Sequence, residues 1–444
     1  MIQQFGDLFE ASDLRTKVLY TLGALAIYRV GAAIPTPGIN GDALKAIFDA
    51  QRGGLLSFLN IFSGGAMARF SIFSLGVMPY INASIIMSLL QGAHVIPALD
   101  RLAKDGELGR RKLNSYTRYL TLALAAFQAF GFTIAISKMP TPGGNLPVIP
   151  NPTVSFYMLT VLTLTAGTMF IMWLGEQVTE VGVGNGVSLI IFAGIVVRIP
   201  SATMNLIRLI QAEEIGLVQA LLLLAVLLVI LILVVWVETA QRKIPVQYAK
   251  RVVGRKMYGG AQSYLPLKVD QSGVIAVIFA VSLLAVPMTV VQFAPNTAWA
   301  QKLMGFLNGS NWVYQLVYAA LIVFFCYFYN SVSINPEDLA DNMKKSGGFI
   351  PGYRPGESTA RYIEWVLERI TLGGALFVAA IAVLPDWMRI RFNVPFFFGG
   401  TALLIVVGVA LDTMGQLEAQ LIMRHYEGFL KKGRLRQRWF NVGS

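Results

Sequence analysis

The sequence has very few of the residues that catalysis or metal binding usually requires. Among its 444 residues there is one cysteine, Cys326, and there are two histidines, His94 and His425. A single cysteine cannot form an internal disulfide, and its apolar surroundings predict a small buried residue. Neither the HExxH pattern of zinc hydrolases nor the GxxxxGK[ST] loop of nucleotide-driven motors occurs. We therefore expect no catalytic residue, no metal and no cofactor, and an energy source outside the chain.

Charged residues are also scarce. They make up 14% of the chain, against 55% hydrophobic residues, and the mean hydropathy is +0.60. Apolar runs near or above the roughly 18 residues that cross a bilayer recur along the chain, which predicts an all-α polytopic membrane protein. The first run is too long for a signal peptide and should remain as an anchor. We predict about ten spans, near residues 17–35, 72–92, 116–137, 153–174, 184–205, 216–238, 272–292, 311–333, 369–386 and 395–416.

The distribution of Lys and Arg predicts the orientation. The net charge is +12, and most basic residues fall on one side of the predicted spans, in the N-terminus, in loops 93–115, 239–271 and 334–368, and in the tail 417–444. Basic loops remain in the cytoplasm, so both termini should be cytoplasmic. Segment 175–183 on the same side departs from this pattern, since it holds Glu176 and Glu180 but no Lys or Arg.

Two pairs of segments indicate an internal repeat. Residues 186–194 resemble 400–408, and residues 76–83 resemble 273–280, although such short apolar matches also arise by chance. With five spans in each half, residues 1–210 and 211–416 would insert upside down relative to each other. Such inverted repeats place their working site at the interface of the halves, near the bilayer midplane.

The repeated spans offer aliphatic side chains at that depth and no carboxylate, His or Lys. Aliphatic residues at a constriction can exclude water and ions, or they can simply pack helix against helix. A secondary transporter of a small solute remains the alternative, but it should place polar ligands at the midplane. Arg29 is the clearest internal charge, and we expect it to snorkel toward the outer surface. The aliphatic residues are Val77, Ile81, Val187, Ile191, Ile278 and Ile405.

Between the first two spans lies a short apolar segment, 54–65, with glycines at both ends. It is too short to cross a bilayer. Two interpretations stay open from the residues alone. The segment re-enters the channel and obstructs it, or it lies flat on the membrane surface as an interfacial helix.

The two basic loops predict exposed docking surfaces. Residues 241–268 alternate loosely around a glycine and predict a basic hairpin. In loop 334–368, Gly352, Pro355 and Gly356 predict a tight turn that presents Arg354. Such charge suits RNA phosphates and acidic protein surfaces equally, or it merely keeps the loops inside.

Six loop motifs, in order and at matching spacing, resemble the SecY family, the pore subunits of the bacterial protein-conducting channel. They are Pro35-Thr36-Pro37-Gly38-Ile39, Phe62-Ser63-Gly64-Gly65, Gly182-Val183-Gly184-Asn185-Gly186, Tyr248-Ala249-Lys250-Arg251, Leu265-Pro266-Leu267-Lys268 and Arg354-Pro355-Gly356-Glu357. The resemblance covers nearly the whole chain. It implies a ten-helix clamshell in the bacterial inner membrane that opens across the membrane and sideways into lipid.

The resemblance also assigns roles by position. The six aliphatic residues above become a pore ring. The plug falls on Leu55, Leu56, Phe58, Leu59, Asn60, Ile61 and Phe62, with Gly64 and Gly65 as its hinge, which favours the obstructing interpretation. The lateral gate falls on Asn82, Ser84, Ser88, Gln91, Ile278 and Phe279. Docking to a motor or ribosome falls on Lys250, Arg251, Arg255, Lys256 and Arg354.

The implied partners are the SecE and SecG subunits, the SecA motor ATPase, the ribosome with its RNA, signal sequences, unfolded preproteins and membrane lipid. In the ring and the seventh span, three residues depart from the pattern that the chain's relatives commonly show. Val77 and Val187 stand where many relatives have isoleucine, and Ala276 stands where proline is common. The valines predict a slightly looser seal. The alanine removes an identifiable cause for a kink in the seventh span.

Overall fold

The computed structural model describes residues 12–41, 43, 44, 47, 60, 63–92, 96–138, 148–149, 152–213, 216–248, 251–253, 256–258, 262–293, 297–306, 311–392 and 400–440. Most of these residues are helical. The helices are α1 (Ser12–Ala33), α2 (Met78–Gly92), α3 (Pro97–Lys104), α4 (Gly106–Lys138), α5 (Val154–Val181), α6 (Gly186–Val196), α7 (Ile199–Gln211), α8 (Leu217–Thr239), α9 (Val274–Phe293), α10 (Ala298–Phe306), α11 (Trp312–Ser333), α12 (Pro336–Lys345), α13 (Glu357–Phe392) and α14 (Gly400–Phe440).

Each of the ten predicted apolar segments overlaps one of these helices, which confirms an all-α polytopic membrane protein. Within the described residues, however, only seven helical stretches are long and apolar enough to cross a membrane by themselves. The predicted segments in α1, α2 and α9 are too short or too polar to meet this criterion. Helix α1 carries charges such as Arg29. Helix α2 has 15 residues, about 22 Å at the rise of an α-helix. The apolar part of α9 is Val274–Pro287.

The predicted span 184–205 is one apolar segment but two helices. Helix α6 ends at Val196, a turn occupies Val197 and Arg198, and α7 starts at Ile199. Pro200 explains the break, because a proline lacks the N–H that would continue the hydrogen bonding of α6.

The main hydrophobic core joins the central helices. One buried cluster contains side chains from α1, α2, α5, α6, α8, α9, α11, α13 and α14. The region after segment 54–65 is held in a second buried cluster, where Phe70 stacks on Phe132 of α4 and its carbonyl accepts a hydrogen bond from Thr36 Oγ1 at 2.8 Å. The central helices are therefore packed on one another through apolar side chains.

The predicted basic hairpin is confirmed. Strands β1 (Gln241–Tyr248) and β4 (Gln262–Lys268) pair antiparallel, and β2 (Arg251–Val253) pairs with β3 (Lys256–Tyr258) near the tip. Strand β5 (Gly348–Phe349) pairs with the end of β1, so the sheet order is β4-β1-β5. Ile244 and Val246 alternate inward and pack in a cluster with Ile363 of α13. The two basic loops, which the sequence suggests as separate surfaces, share one sheet.

Candidate functional site

The predicted pore ring lies within the main core. Val77 and Ile81 are four residues apart, as are Val187 and Ile191, so each pair shares one helix face. Val187 is half-buried, whereas the other five ring residues are at most 5% exposed. All six belong to the main apolar cluster or pack against it. The structure therefore brings α2, α6, α9 and α14 together through the predicted aliphatic positions.

A cavity of about 480 Å³ lies beside four of the ring residues. Ile81, Val187, Ile191 and Ile278 form part of its wall, together with the predicted gate residues Ser84, Ser88 and Phe279. Asn114, Arg118, Glu176, Glu180 and Asn185 also line it. These polar residues lie on α4, at the end of α5 and just before α6, next to segments predicted to be cytoplasmic. The cavity therefore lies on the predicted cytoplasmic side of the ring.

An ion pair in this wall was not predicted from the sequence. Arg118 Nε lies 3.0 Å from Glu176 Oε1, and Arg118 Nη2 lies 2.9 Å from Glu176 Oε2. This bidentate ion pair joins α4 to α5. The acidic character of segment 175–183 was the available signal, but the partner lies 58 residues away in the chain. Partial exposure of both side chains limits the contribution of the pair to stability to about 1 kcal/mol.

The predicted lateral gate corresponds to a packed contact between α2 and α9, which we call the gate seam. Ser282 of α9 donates a hydrogen bond to the sulfur of Met78, at 3.7 Å. Asn82 is buried, and its Oδ1 has no hydrogen-bond partner within the part of the chain that the structure describes. The predicted gate residue Gln91 lies half-buried near the end of α2. The seam thus combines aliphatic packing with few directional contacts.

The gate seam extends to a third helix. Phe279 packs edge-on against Phe325 of α11, with ring centroids 5.7 Å apart. Gly92 at the end of α2 lies so close to Phe328 of α11 that an added Cβ would meet its ring at 2.9 Å. Ala276, where relatives commonly have proline, is fully buried in α9, and this helix instead carries a proline further along, at Pro287. Helix α2 therefore lies against both α9 and α11.

Most of the predicted plug falls outside the described residues, namely Leu55, Leu56, Phe58, Leu59, Ile61 and Phe62. Asn60 is described and buried, and its Oδ1 accepts a hydrogen bond from the N–H of Ala68 at 3.0 Å. Gly64 and Gly65 have φ values of +63° and +86°. L-residues with side chains rarely adopt these values, which accounts for glycine at both positions.

Arg29, which is expected to snorkel toward the outer surface, has a backbone partner in the structure. Its Nη1 donates a hydrogen bond to the carbonyl oxygen of Gly64 at 3.0 Å. The preceding residue, Tyr28, is buried, and its hydroxyl donates to the carbonyl oxygen of Ser63 at 3.2 Å. A guanidinium satisfies its donors wherever acceptors are in reach, and here the backbone of a distant loop supplies one.

The predicted docking residues are only partly described. Lys250 and Arg255 lie outside the described residues, while Arg251 and Lys256 lie in the short tip strands β2 and β3. Arg354 is exposed in the predicted turn, between Gly352 and Gly356, whose φ values are +90° and +106°.

Aromatic residues stabilise this turn against α13. Tyr353 stacks on Tyr362 with ring centroids 4.1 Å apart, and Tyr362 stacks in turn on Trp365. Arg369 lies 3.9 Å above the Trp365 ring, in a cation–π contact. These stacked rings were not predicted from the sequence, where their signal is Tyr362 and Trp365, two aromatic residues three apart on one helix face.

Comparison with known proteins identifies the family. The family model described as SecY matches residues 71–414. The chain belongs to the SecY family. A protein translocase subunit SecY from Aquifex aeolicus is 46% identical over 426 residues, which cover 96% of this chain and 98% of the relative. The corresponding subunit of Halalkalibacterium halodurans is 48% identical over 443 residues, covering 97% of this chain and all of the relative.

Solved channels of the SecY and Sec61 type share the fold. A structure concerned with how the SecY plug domain stabilises the closed channel superposes with a TM-score of 0.67 at 18% identity, and 91% of each chain is covered. Sec61 in a canine ribosome–channel complex superposes with a TM-score of 0.62 at 17% identity, again over 91% of each chain. This SecY-family chain therefore has the architecture of a protein-conducting channel.

Proposed function

We propose that this SecY-family chain forms the central pore of a protein translocase, through which unfolded polypeptides cross the membrane. Its curated relatives carry the name protein translocase subunit. One observation supports the pore assignment most strongly. Four predicted ring residues, Ile81, Val187, Ile191 and Ile278, line the same cavity as a set of polar side chains. A polypeptide would therefore enter through a polar vestibule and meet an aliphatic constriction. The comparisons lend no support to a small-solute transporter.

The aliphatic ring suits a varied substrate. Branched alkyl side chains offer no fixed pattern of hydrogen bonds, so they accept any sequence while excluding water and ions. In this mechanism a signal sequence or a nascent membrane helix separates α2 from α9 at the gate seam. The plug then moves outward, and the ring closes around the extended chain. Hydrophobic segments leave sideways into lipid through the same seam, and no covalent chemistry is involved.

Partner proteins supply the energy that drives the polypeptide through the channel. We infer that the SecA motor or a ribosome docks on the basic hairpin and on the turn with Arg354, and that SecE and SecG complete the channel. The Sec61 relative in its ribosome–channel complex supports a ribosomal partner. We place the chain in the bacterial inner membrane with both termini in the cytoplasm, its halves being residues 1–210 and 211–416 and its tail residues 417–444.

Photo-crosslinking of a stalled substrate tests the pore. A secretory polypeptide is arrested midway, and photoreactive side chains are placed singly at Ile81, Ile191, Ile278 and Ile405. We expect adducts at all four positions. Matched controls on α2 and α9 are the exposed residues Ile86 and Leu283, which should label lipid instead. Substrate adducts at the controls but not at the ring would contradict a central pore.

A charge reversal tests the docking role of Arg354. Arg354→Glu should reduce SecA-driven translocation strongly, because it replaces an exposed cation in a rigid turn with an anion. Arg361→Glu is the matched control, since Arg361 is also exposed, seven residues further along. Equal translocation rates of the two variants would remove Arg354 from the docking surface.

A further inference from the structure

Resting on the proposed pore, we propose that Tyr28, Arg29 and Gly194 form a clamp that anchors the Ser63–Gly65 turn, and that the resting channel depends on this clamp for its ion seal. The resemblance implies that Gly64 and Gly65 are a hinge. In the structure, however, contacts with α1 and α6 hold these two glycines in place.

Two successive residues of α1 donate hydrogen bonds to two successive backbone carbonyls of the turn. Tyr28 donates to Ser63 and Arg29 donates to Gly64, across 35 residues of chain in each case. Tyr28 is 1% exposed, so its hydroxyl has little access to water as an alternative partner. Bonds of this kind are costly to break in an apolar setting, because both donor and carbonyl lose a partner. The turn is therefore tied to α1.

The turn also lies against α6 by direct backbone contact. A Cβ added to Gly64 would lie 2.8 Å from the Cα of Gly194, and a Cβ added to Gly194 would lie 3.1 Å from the Cα of Gly64. A side chain at either glycine would push the two segments apart. The same Cβ on Gly64 would lie 2.9 Å from Arg29 Nη1 and 3.1 Å from the Tyr28 hydroxyl, so α1 and α6 meet the turn at one point.

The turn is also folded on itself. The N–H of Gly65 donates to the carbonyl of Asn60 at 2.9 Å. Ser63 Oγ donates to the same carbonyl and accepts from the N–H of Met67, each at 3.2 Å. Asn60 and Ser63 are both buried. Displacing this turn as a unit requires breaking its contacts to α1 and α6, which is the property of an anchor.

The clamp connects to the pore ring through α6. Gly194 lies three residues after Ile191, which is one helical turn and the same side of the helix. A polypeptide that spreads the ring by moving α6 therefore also moves Gly194 away from the turn. The geometry couples occupation of the ring to release of the clamp, whereas an empty ring leaves the clamp closed.

Ion leakage through the resting channel tests the clamp. The complete channel complex is reconstituted into vesicles, and potassium flux is measured without substrate. Tyr28→Phe removes one hydroxyl, Arg29→Gln removes the charged donor, and Gly194→Ala inserts one methyl group. We expect each to raise the leak several-fold while preprotein translocation continues. Tyr28→Phe is nearly isosteric, so the test remains valid if Arg29→Gln fails to assemble.

Two variants serve as matched controls. Tyr20→Phe makes the same change at an exposed position of α1. Arg198→Gln removes a cation from the same neighbourhood, since Arg198 Nε would lie 4.0 Å from a Cβ on Gly65. Neither control should leak.

An unchanged leak in all three clamp variants, with ring adducts intact in the stalled-substrate experiment, would reject the clamp and leave the pore in place. Absence of ring adducts in the unmodified protein would instead reject the pore itself. A leak in the controls equal to that of the clamp variants would also reject the clamp, because it would show no dependence on these three residues.

Discussion

Ser282 of α9 and Met78 of α2 are joined across the gate seam by a hydrogen bond of 3.7 Å from hydroxyl to sulfur. A thioether is a weak acceptor. The surrounding contacts are largely aliphatic, and hydrophobic packing has no directional requirement. The seam can therefore separate with the loss of few hydrogen bonds, which is what a gate that opens toward lipid requires.

A covalent link between these two residues should prevent α2 and α9 from separating at the gate seam. We expect the double variant Met78→Cys, Ser282→Cys to lose translocation when treated with a short, cleavable thiol cross-linker and to regain it after cleavage. The measurement is the amount of preprotein protected inside vesicles. The unmodified chain is the control, because its single cysteine, Cys326, cannot form a cross-link within the chain. Normal translocation by the fully cross-linked variant would mean that the seam does not need to open.

Asn82 should weaken the closed seam. Its buried Oδ1 lacks a partner among the described residues, and such a group costs about 1–3 kcal/mol. Asn82→Leu should therefore raise thermal stability in detergent and slow the insertion of membrane helices. The control is Thr160→Val, which removes another buried oxygen without a described partner, on α5 away from the seam. It should raise stability alone. Unchanged insertion kinetics in Asn82→Leu would count against a gating role.

The two ring valines should respond differently to an added methylene group. Val187 is half-buried and lines the cavity, so Val187→Ile should fit and reduce the resting ion leak. Val77 is buried, and overpacking a tight core costs about 1–3 kcal/mol. Val77→Ile should therefore lower the melting temperature with no comparable gain in the seal. Vesicle ion flux and thermal denaturation measure both effects, and identical behaviour of the two variants would contradict their different packing.

Asp270 should make stability depend on pH. It lies between β4 and α9, where its Oδ1 accepts hydrogen bonds from the N–H of Gly273 at 2.8 Å and from Ser272 Oγ at 2.9 Å. Burial raises the pKa of Asp270, and this effect outweighs the hydrogen bonds and Lys268, which lower it. A raised folded-state pKa gives stability that is complete below the unfolded value of about 3.9 and is lost as pH rises through the folded value.

The variant Asp270→Asn keeps the Oδ1 acceptor and removes the charge. Its melting temperature relative to the unmodified protein should therefore increase as pH rises above about 4. Asp341→Asn, at an exposed position of α12, is the control and should follow the unmodified protein. A constant difference across the pH range would show that Asp270 does not titrate in this way.

Sequence patterns within one segment predicted the helices and strands that depend on interactions within that segment. The apolar runs predicted helices at all ten positions, and alternation around a glycine predicted the hairpin of β1 and β4. The predicted start of one span at residue 184 lies close to the start of α6, which Asn185 caps by accepting a hydrogen bond from the N–H of Ser188. Pro200, in contrast, divides one predicted span into α6 and α7.

The membrane class, the approximate spans and the aliphatic character of the ring positions follow from the sequence alone, because each depends on hydropathy and period within one segment. The contact of Arg29 with Gly64, the pairing of Arg118 with Glu176 and the sheet shared by the two basic loops are visible only in the folded structure. Those contacts join residues 35, 58 and about a hundred positions apart. A polar side chain specifies what it can bond, but the packing of the helices selects which distant partner comes within reach.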